Sequence, residues 1–186
     1  PFYYNYKMPS RLMAKSPKLI NDIPVRAYQF SIGETSYWLE YGNKPLYPFG
    51  YGLTYTTFEY GAVQLSDTIL SISGKPQSII ASCEITNTGH CDAVAIPQLY
   101  IRDVVGTLTR PLRELKGFQR VNIPAGETRT VSFEISEQDL AYWHLADGVT
   151  LGSDGEYAFS AEKGDFHVWI APNAAEGQYI PFTLVE

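Results

Sequence analysis

The chain has 186 residues, enough for one domain with a core and an extension, but not for two large domains. Its hydrophobic fraction of 45% and charged fraction of 18% are those of a folded chain and exclude a disordered one. The net charge of −6 argues against nucleic acid as a partner, and no apolar run approaches the roughly 20 residues that span a bilayer.

Residues 1 to about 45 show no regular period, and Pro1, Pro9, Pro17 and Pro24 interrupt them. Only the stretch from Val25 to Phe30 is strand-like. The segment holds Tyr3, Tyr4, Tyr6, Tyr28, Tyr37, Trp38 and Tyr41, too aromatic for a flexible linker. It reads as an extended arm lying on something else. Pro1 to Tyr6 has neither a basic nor an apolar leader pattern, and no initiator Met is present. The first residues therefore read as the middle of a longer chain.

From Phe58 short alternating runs appear. Ile79, Ala81, Cys83 and Ile85 form one strand face, ended by Asn87-Thr88-Gly89. Val94–Arg102 reads as one run, with Pro97 marking an edge or a bulge. Leu115–Ile123 follows, ended by Pro124-Ala125-Gly126. Val131, Phe133 and Ile135 alternate with polar residues, as a half-buried strand does. Ser136-Glu137-Gln138-Asp139 is a capping-box pattern and predicts a helical turn carrying Leu140 and Tyr142. Glu156–Ser160, then Phe166, Val168 and Ile170, and last Ile180, Phe182 and Leu184, complete roughly seven strands. That pattern predicts an all-β fold, an antiparallel sandwich with an extended N-terminal arm.

Chemistry-bearing patterns are sparse. Gly50-Tyr51-Gly52 is too short for a phosphate loop, and His90, His144 and His167 lack metal-ligand spacing. Cys83 sits in a strand and Cys91 in a turn; two free thiols are expected, a short-range disulfide being the lesser alternative. Asp67, Asp103, Glu114, Asp139, Asp154 and Asp165 fall at predicted strand ends or turns, where solvated carboxylates belong. Tyr37-Trp38 and Tyr3-Tyr4 offer two readings: burial against a neighbouring domain, or a stacking platform for a sugar ring.

One stretch goes further. Pro45-Leu46-Tyr47-Pro48-Phe49-Gly50-Tyr51-Gly52-Leu53-Thr54-Tyr55-Thr56-Thr57-Phe58 closely resembles the PLYPFGYGLSYTTF signature of family 3 glycoside hydrolases, differing only at Thr54. In that family the signature leads into a fibronectin type III-like domain. Thr86–Gly89, Gln98–Asp103, Arg110–Phe118, Pro124–Glu127 (with Ala125 inserted), Leu140–Trp143 and Gly164–Val168 resemble further family segments in the same order. Pro1–Asn5 is similar to the segment that leaves the preceding α/β-sandwich domain. Residues 10–44 match only loosely, Ala171-Pro172-Asn173 departs from the usual turn, and Asp147–Ala161 is longer than in many members.

The resemblance implies an immunoglobulin-like, fibronectin type III-like β-sandwich over residues 58–186, with residues 1–57 as arm and lead-in. It implies a non-catalytic C-terminal domain of a β-glucosidase-like enzyme. Family members place the nucleophilic Asp in a (β/α)8 barrel of about 250 residues and the acid/base Glu in the next domain. No catalytic residue is therefore carried over to this chain. The implied parent reaction is retaining hydrolysis of terminal β-linked glucose or xylose by two carboxylates about 5–5.5 Å apart, with neither cofactor nor metal. The implied partners are the catalytic barrel and α/β-sandwich domains, with Tyr47, Phe49 and Tyr51 as interdomain contacts; no membrane partner is expected. The rival reading is a carbohydrate-binding module that stacks sugar on Tyr3, Tyr4 and Trp38. A periplasmic or secreted setting is the working guess for compartment.

Overall fold

A computed structural model describes residues 47–108, 110–145 and 157–186. The chain divides into two compact units, Pro1–Tyr51 and Gly52–Glu186. The strand-like stretch at Val25–Phe30 and the rest of the arm before Tyr47 lie outside the described residues.

The second unit is built on two sheets. The first has β4 (Ser78–Asn87) at its centre. The strand β9 (Thr128–Ser136) runs antiparallel along one side of it. Two short strands, β1 (Phe58–Tyr60) and β2 (Gln64–Leu65), share its other side. The second sheet has the order β3 (Ile69–Ser71), β13 (Ile180–Val185), β12 (Gly164–Ala171), β6 (Gln98–Asp103) and β7 (Glu114–Phe118). Every pairing in it is antiparallel except β3 with β13.

Alternation in the sequence explains the core. Ile79, Ala81, Cys83 and Ile85 of β4 are buried, as are Val131, Phe133 and Ile135 of β9. They meet Leu99 and Ile101 of β6, Phe166, Val168 and Ile170 of β12, and Phe182 and Leu184 of β13. Burying each such side chain stabilises by about 1.5–3 kcal/mol. Phe166 and Phe182 stack with centroids 5.4 Å apart. This is the expected two-sheet sandwich.

Several local expectations are corrected. Val94–Arg102 is not one strand with a kink. Pro97 separates β5 (Ala93–Ala95) from β6, and the two belong to different sheets. The same happens between β7 and β8 (Val121–Ile123), which pairs with β5. A proline cannot donate to a ladder, which accounts for the change of sheet at Pro97. The two crossing points meet: Gln119 N donates to Pro97 O at 3.1 Å. These divisions, and strands of two or three residues, raise the count to thirteen strands among the described residues.

The capping box forms as read, with Ser136 N and Oγ both donating to Asp139 Oδ2 at 2.8 and 2.9 Å. The helix α1 (Glu137–Leu140) buries Leu140, but Tyr142 is not on it. Ala141 turns extended at φ −63° and ψ 145°, and Tyr142 opens β10 (Tyr142–Leu145). The strand β10 pairs with β11 (Tyr157–Ser160) as a separate two-stranded sheet. Both thiols are free, Cys83 buried and Cys91 exposed.

Candidate docking surface and aromatic faces

Each described carboxylate singled out in the sequence has its own hydrogen-bond or ion-pair partner. Asp67 Oδ1 accepts from Ile69 N at 3.0 Å, and Asp103 Oδ1 accepts from Val105 N at 3.2 Å. Glu114 holds Arg110 at 2.6 Å and Lys116 at 2.8 Å. Asp139 caps α1, and Asp165 accepts from Thr183 Oγ1 at 2.9 Å. Asp154 lies outside the described residues. His144 hydrogen-bonds Leu145 O and Ser160 Oγ, His167 stacks on Tyr179 at 3.8 Å, and His90 is exposed. Among the described residues no three His, Cys, Asp or Glu side chains converge on a metal-sized space.

The lead-in is where large apolar side chains face outward. In the first unit, Tyr51 N donates to Pro48 O at 3.1 Å, closing a turn. Gly50 stands in it at φ 79°, the left-handed setting that favours glycine. Tyr47, Phe49 and Tyr51 are 64%, 40% and 42% exposed, and the rings of Tyr47 and Tyr51 lie 5.2 Å apart. Tyr3, Tyr4 and Trp38 lie outside the described residues.

In the second unit, Leu53 and Tyr55 are exposed, while Thr56 turns inward. Thr56 Oγ1 donates to Asn87 Oδ1 at 2.6 Å. Asn87 is fully buried, and Nδ2 donates to Cys91 O at 2.8 Å and Ile123 O at 2.9 Å. Its backbone also clasps the Pro124–Glu127 turn: Asn87 N donates to Glu127 O and Gly126 N to Asn87 O, both at 2.9 Å. A Cβ on Gly89 would lie 2.1 Å from Thr56 Oγ1, so only glycine fits beside this knot. The end of the lead-in, the Thr86–Gly89 turn and the Pro124–Glu127 turn are thus joined through one buried residue, Asn87, by its side chain and its backbone together.

A second aromatic surface stands on the β10–β11 hairpin. Register places Trp143 opposite Phe159 and Leu145 opposite Tyr157, so all four share one face. Trp143 and Phe159 have centroids 5.4 Å apart and planes tilted by 52°. The reverse face is buried and polar. Tyr142 donates to Glu162, Thr107 N and Oγ1 donate to the same carboxylate, and Arg110 lies 4.0 Å over the Tyr142 ring. Burial pushes Glu162 up, but the hydrogen bonds from Thr107 and Tyr142 outweigh it and hold this carboxyl below its ordinary value. On the outer side of the five-stranded sheet, Arg113 covers Trp169 at 4.4 Å.

Residues 95–174 match the fibronectin type III-like domain family. A periplasmic β-glucosidase of Salmonella typhimurium is 33% identical over 97% of this chain. The chain carries the fibronectin type III-like domain of family 3 glycoside hydrolases. A putative β-xylosidase of Formosa agariphila shares this fibronectin type III-like region at 38% identity over 79% of the chain. A β-glucosidase structure from Erythrobacter marinus is 32% identical over 87% of the chain, with a TM-score of 0.65. The chain spans only 23%, 19% and 18% of the lengths of these three proteins.

Sequence reasoning found the lead-in through its density of aromatics but missed the hairpin face. Trp143 stood in a family-like segment, and Phe159 in a predicted strand. Their shared face depends on a pairing across the connection 146–156, which periodicity does not give.

Proposed function

We propose that this chain is a non-catalytic C-terminal domain of a β-glucosidase-like family 3 glycoside hydrolase, packing on the catalytic domains and stabilising them. The parent enzyme would hydrolyse terminal β-linked glucose or xylose with retention, on carboxylates outside this chain. Residues 1–57 would be the arm and lead-in, with Tyr47, Phe49 and Tyr51 as contacts to the barrel and the α/β sandwich.

The observation that carries this reading is the exposure of those three rings on a turn built around Gly50. Fully burying one such ring stabilises by about 1.5–3 kcal/mol, so covering the exposed parts of the three by a neighbouring domain would recover a share of that at each. Relatives named β-glucosidase and β-xylosidase, several times longer than this chain, support the choice of neighbour.

The test replaces Tyr47, Phe49 and Tyr51 together by Ser in the parent enzyme. A fall in the parent's melting temperature of several degrees is expected, with the fold of the isolated 186-residue chain unchanged. The isolated chain should not turn over an aryl β-glucoside. Unaltered parent stability, or clear turnover by the pure chain, would overturn the reading.

A further inference from the structure

We propose that the outer face of the β10–β11 hairpin is a binding platform for soluble β-linked oligosaccharides, with Trp143 and Phe159 as the stacking rings. The choice of β-linked sugar rests on the glycosidase reading above; the platform itself does not.

Four observations support it. Trp143, Tyr157 and Phe159 are 64%, 61% and 55% exposed and project from the same side of a two-stranded sheet. Among the described residues the face carries Trp143, Leu145, Tyr157 and Phe159 and no charge, so it offers nothing to recognise a phosphate or an acidic ligand. Its size then decides between partners. Whole aromatic side chains bury about 150–250 Å² each, so three at this exposure offer about 300–450 Å². Each side of a stable protein interface takes about 800 Å², so this face by itself does not make one, and a small ligand matches its size better. An amphipathic ring of pyranose size fits: its axial C–H groups meet the π face, and its hydroxyls stay in water.

The tilt of 52° between Trp143 and Phe159 narrows the ligand further. Coplanar rings would suit a flat crystalline surface. Tilted rings suit a soluble chain whose successive sugars rotate about the linkage. The platform is held rigid from behind. The Tyr142–Glu162–Thr107 hydrogen bonds, the Arg110 cation over Tyr142 and the His144–Ser160 bond fix both strands. Less entropy is lost when a preorganised surface binds.

The experiment titrates the 186-residue chain with cellohexaose and xylohexaose, following tryptophan emission and heat. Trp143 is exposed and Trp169 buried, while Trp38 lies outside the described residues, so the Trp143→Ala variant is what assigns any quenching to the platform. Saturable binding in the millimolar range or tighter is expected for at least one of the two sugars. Trp143→Ala should weaken it at least tenfold and Phe159→Ala severalfold, with unchanged circular dichroism and melting temperature. Trp143→Tyr should restore most of the affinity, which a merely structural role would not predict.

No binding of either sugar, or equal binding by Trp143→Ala, overturns the proposal. Equally tight maltohexaose overturns the β-linked class. A dimer in sedimentation that Trp143→Ala dissolves assigns the face to a second copy instead. The lead-in test reads parent stability rather than sugar affinity, so either idea can fail while the other stands.

Discussion

Removing the amide of Asn87 should cost more than any surface change in this domain. The side chain has four hydrogen-bonding valences, and all four are used: Oδ1 accepts from Thr56 Oγ1 and Gly89 N, and Nδ2 donates to Cys91 O and Ile123 O. In Asn87→Ala the bonds to Thr56 and Ile123 leave buried partners behind, and each unpaired group costs about 1–3 kcal/mol. The other two bonds are partly solvated and are replaced by water at small cost. The expected loss is about 3–5 kcal/mol, a large share of the roughly 5–15 kcal/mol that holds a domain folded. In melting temperature that is a drop of about 6–20 °C.

Urea unfolding of the isolated chain, followed by tryptophan emission, reads the loss directly. Asn87→Asp sharpens the test because it keeps shape and changes only donors. Its carboxylate would face Cys91 O and Ile123 O with no proton to give, so folding would hold the introduced carboxyl above its ordinary value. A group raised in the folded state contributes stability below its unfolded value, about 3.9, and loses it as pH rises through the folded value. The Asp variant should therefore approach wild type near pH 4 and fall furthest behind at pH 7. A loss under 1 kcal/mol in Asn87→Ala, or a pH-independent gap in Asn87→Asp, would refute the buried-amide account.

Three further outcomes follow from neighbouring geometry. Gly89→Ala should destabilise by about 1–3 kcal/mol, since its Cβ would displace Thr56 Oγ1 from 2.1 Å; combined with Thr56→Ala the two losses should sum to less than their separate values in a double-mutant cycle. A thiol reagent should label one cysteine in the native chain, Cys91, and reach Cys83 only after denaturation, because Cys83 is buried, donates to Gly61 O, and has its pKa raised by burial. Glu162→Gln should flatten the acid limb of stability: a carboxyl held low contributes above its unfolded value, about 4.3, and that contribution fades as pH falls through the folded value, so wild type and variant should converge in acid urea titrations.

The sandwich was legible wherever one face is core and the other is water. Residues 79–85, 131–135 and 180–184 alternate cleanly, and each proved to be a strand with the expected residues inside. Legibility failed where strands change sheet. Around Pro97 the apolar pattern continues across the break, because Ala95 and Leu99 both pack in the main core; across Gln119 the halves reach different clusters, Leu115 with Tyr100 and Trp169, and Ile123 in the main core. Tyr142 was misplaced for a related reason: a capping box marks where a helix starts, not where Ala141 ends it. The family-like motifs were legible as text before they were legible as physics. Thr86–Gly89 and Pro124–Glu127 lie far apart in sequence, and only the fold shows the backbone of Asn87 clasping the second turn while its side chain ties Thr56, Gly89, Cys91 and Ile123.

The two outward-facing aromatic groups demand different explanations, and the difference lies in what stands behind each. The lead-in rings of Tyr47, Phe49 and Tyr51 stand partly exposed on the Pro48–Tyr51 turn. Covering their exposed parts with another surface would stabilise the assembly. The hairpin rings of Trp143 and Phe159 stand instead on a sheet whose back is locked by a carboxylate, two hydroxyls and a guanidinium. That face is already ordered, so covering it contributes little further order, and it suits a ligand that comes and goes. Substitution in the lead-in should therefore register as parent stability, and substitution on the hairpin as ligand affinity. A Trp143→Ala variant that lowered parent stability as much as the lead-in changes do would show that both faces serve one interface.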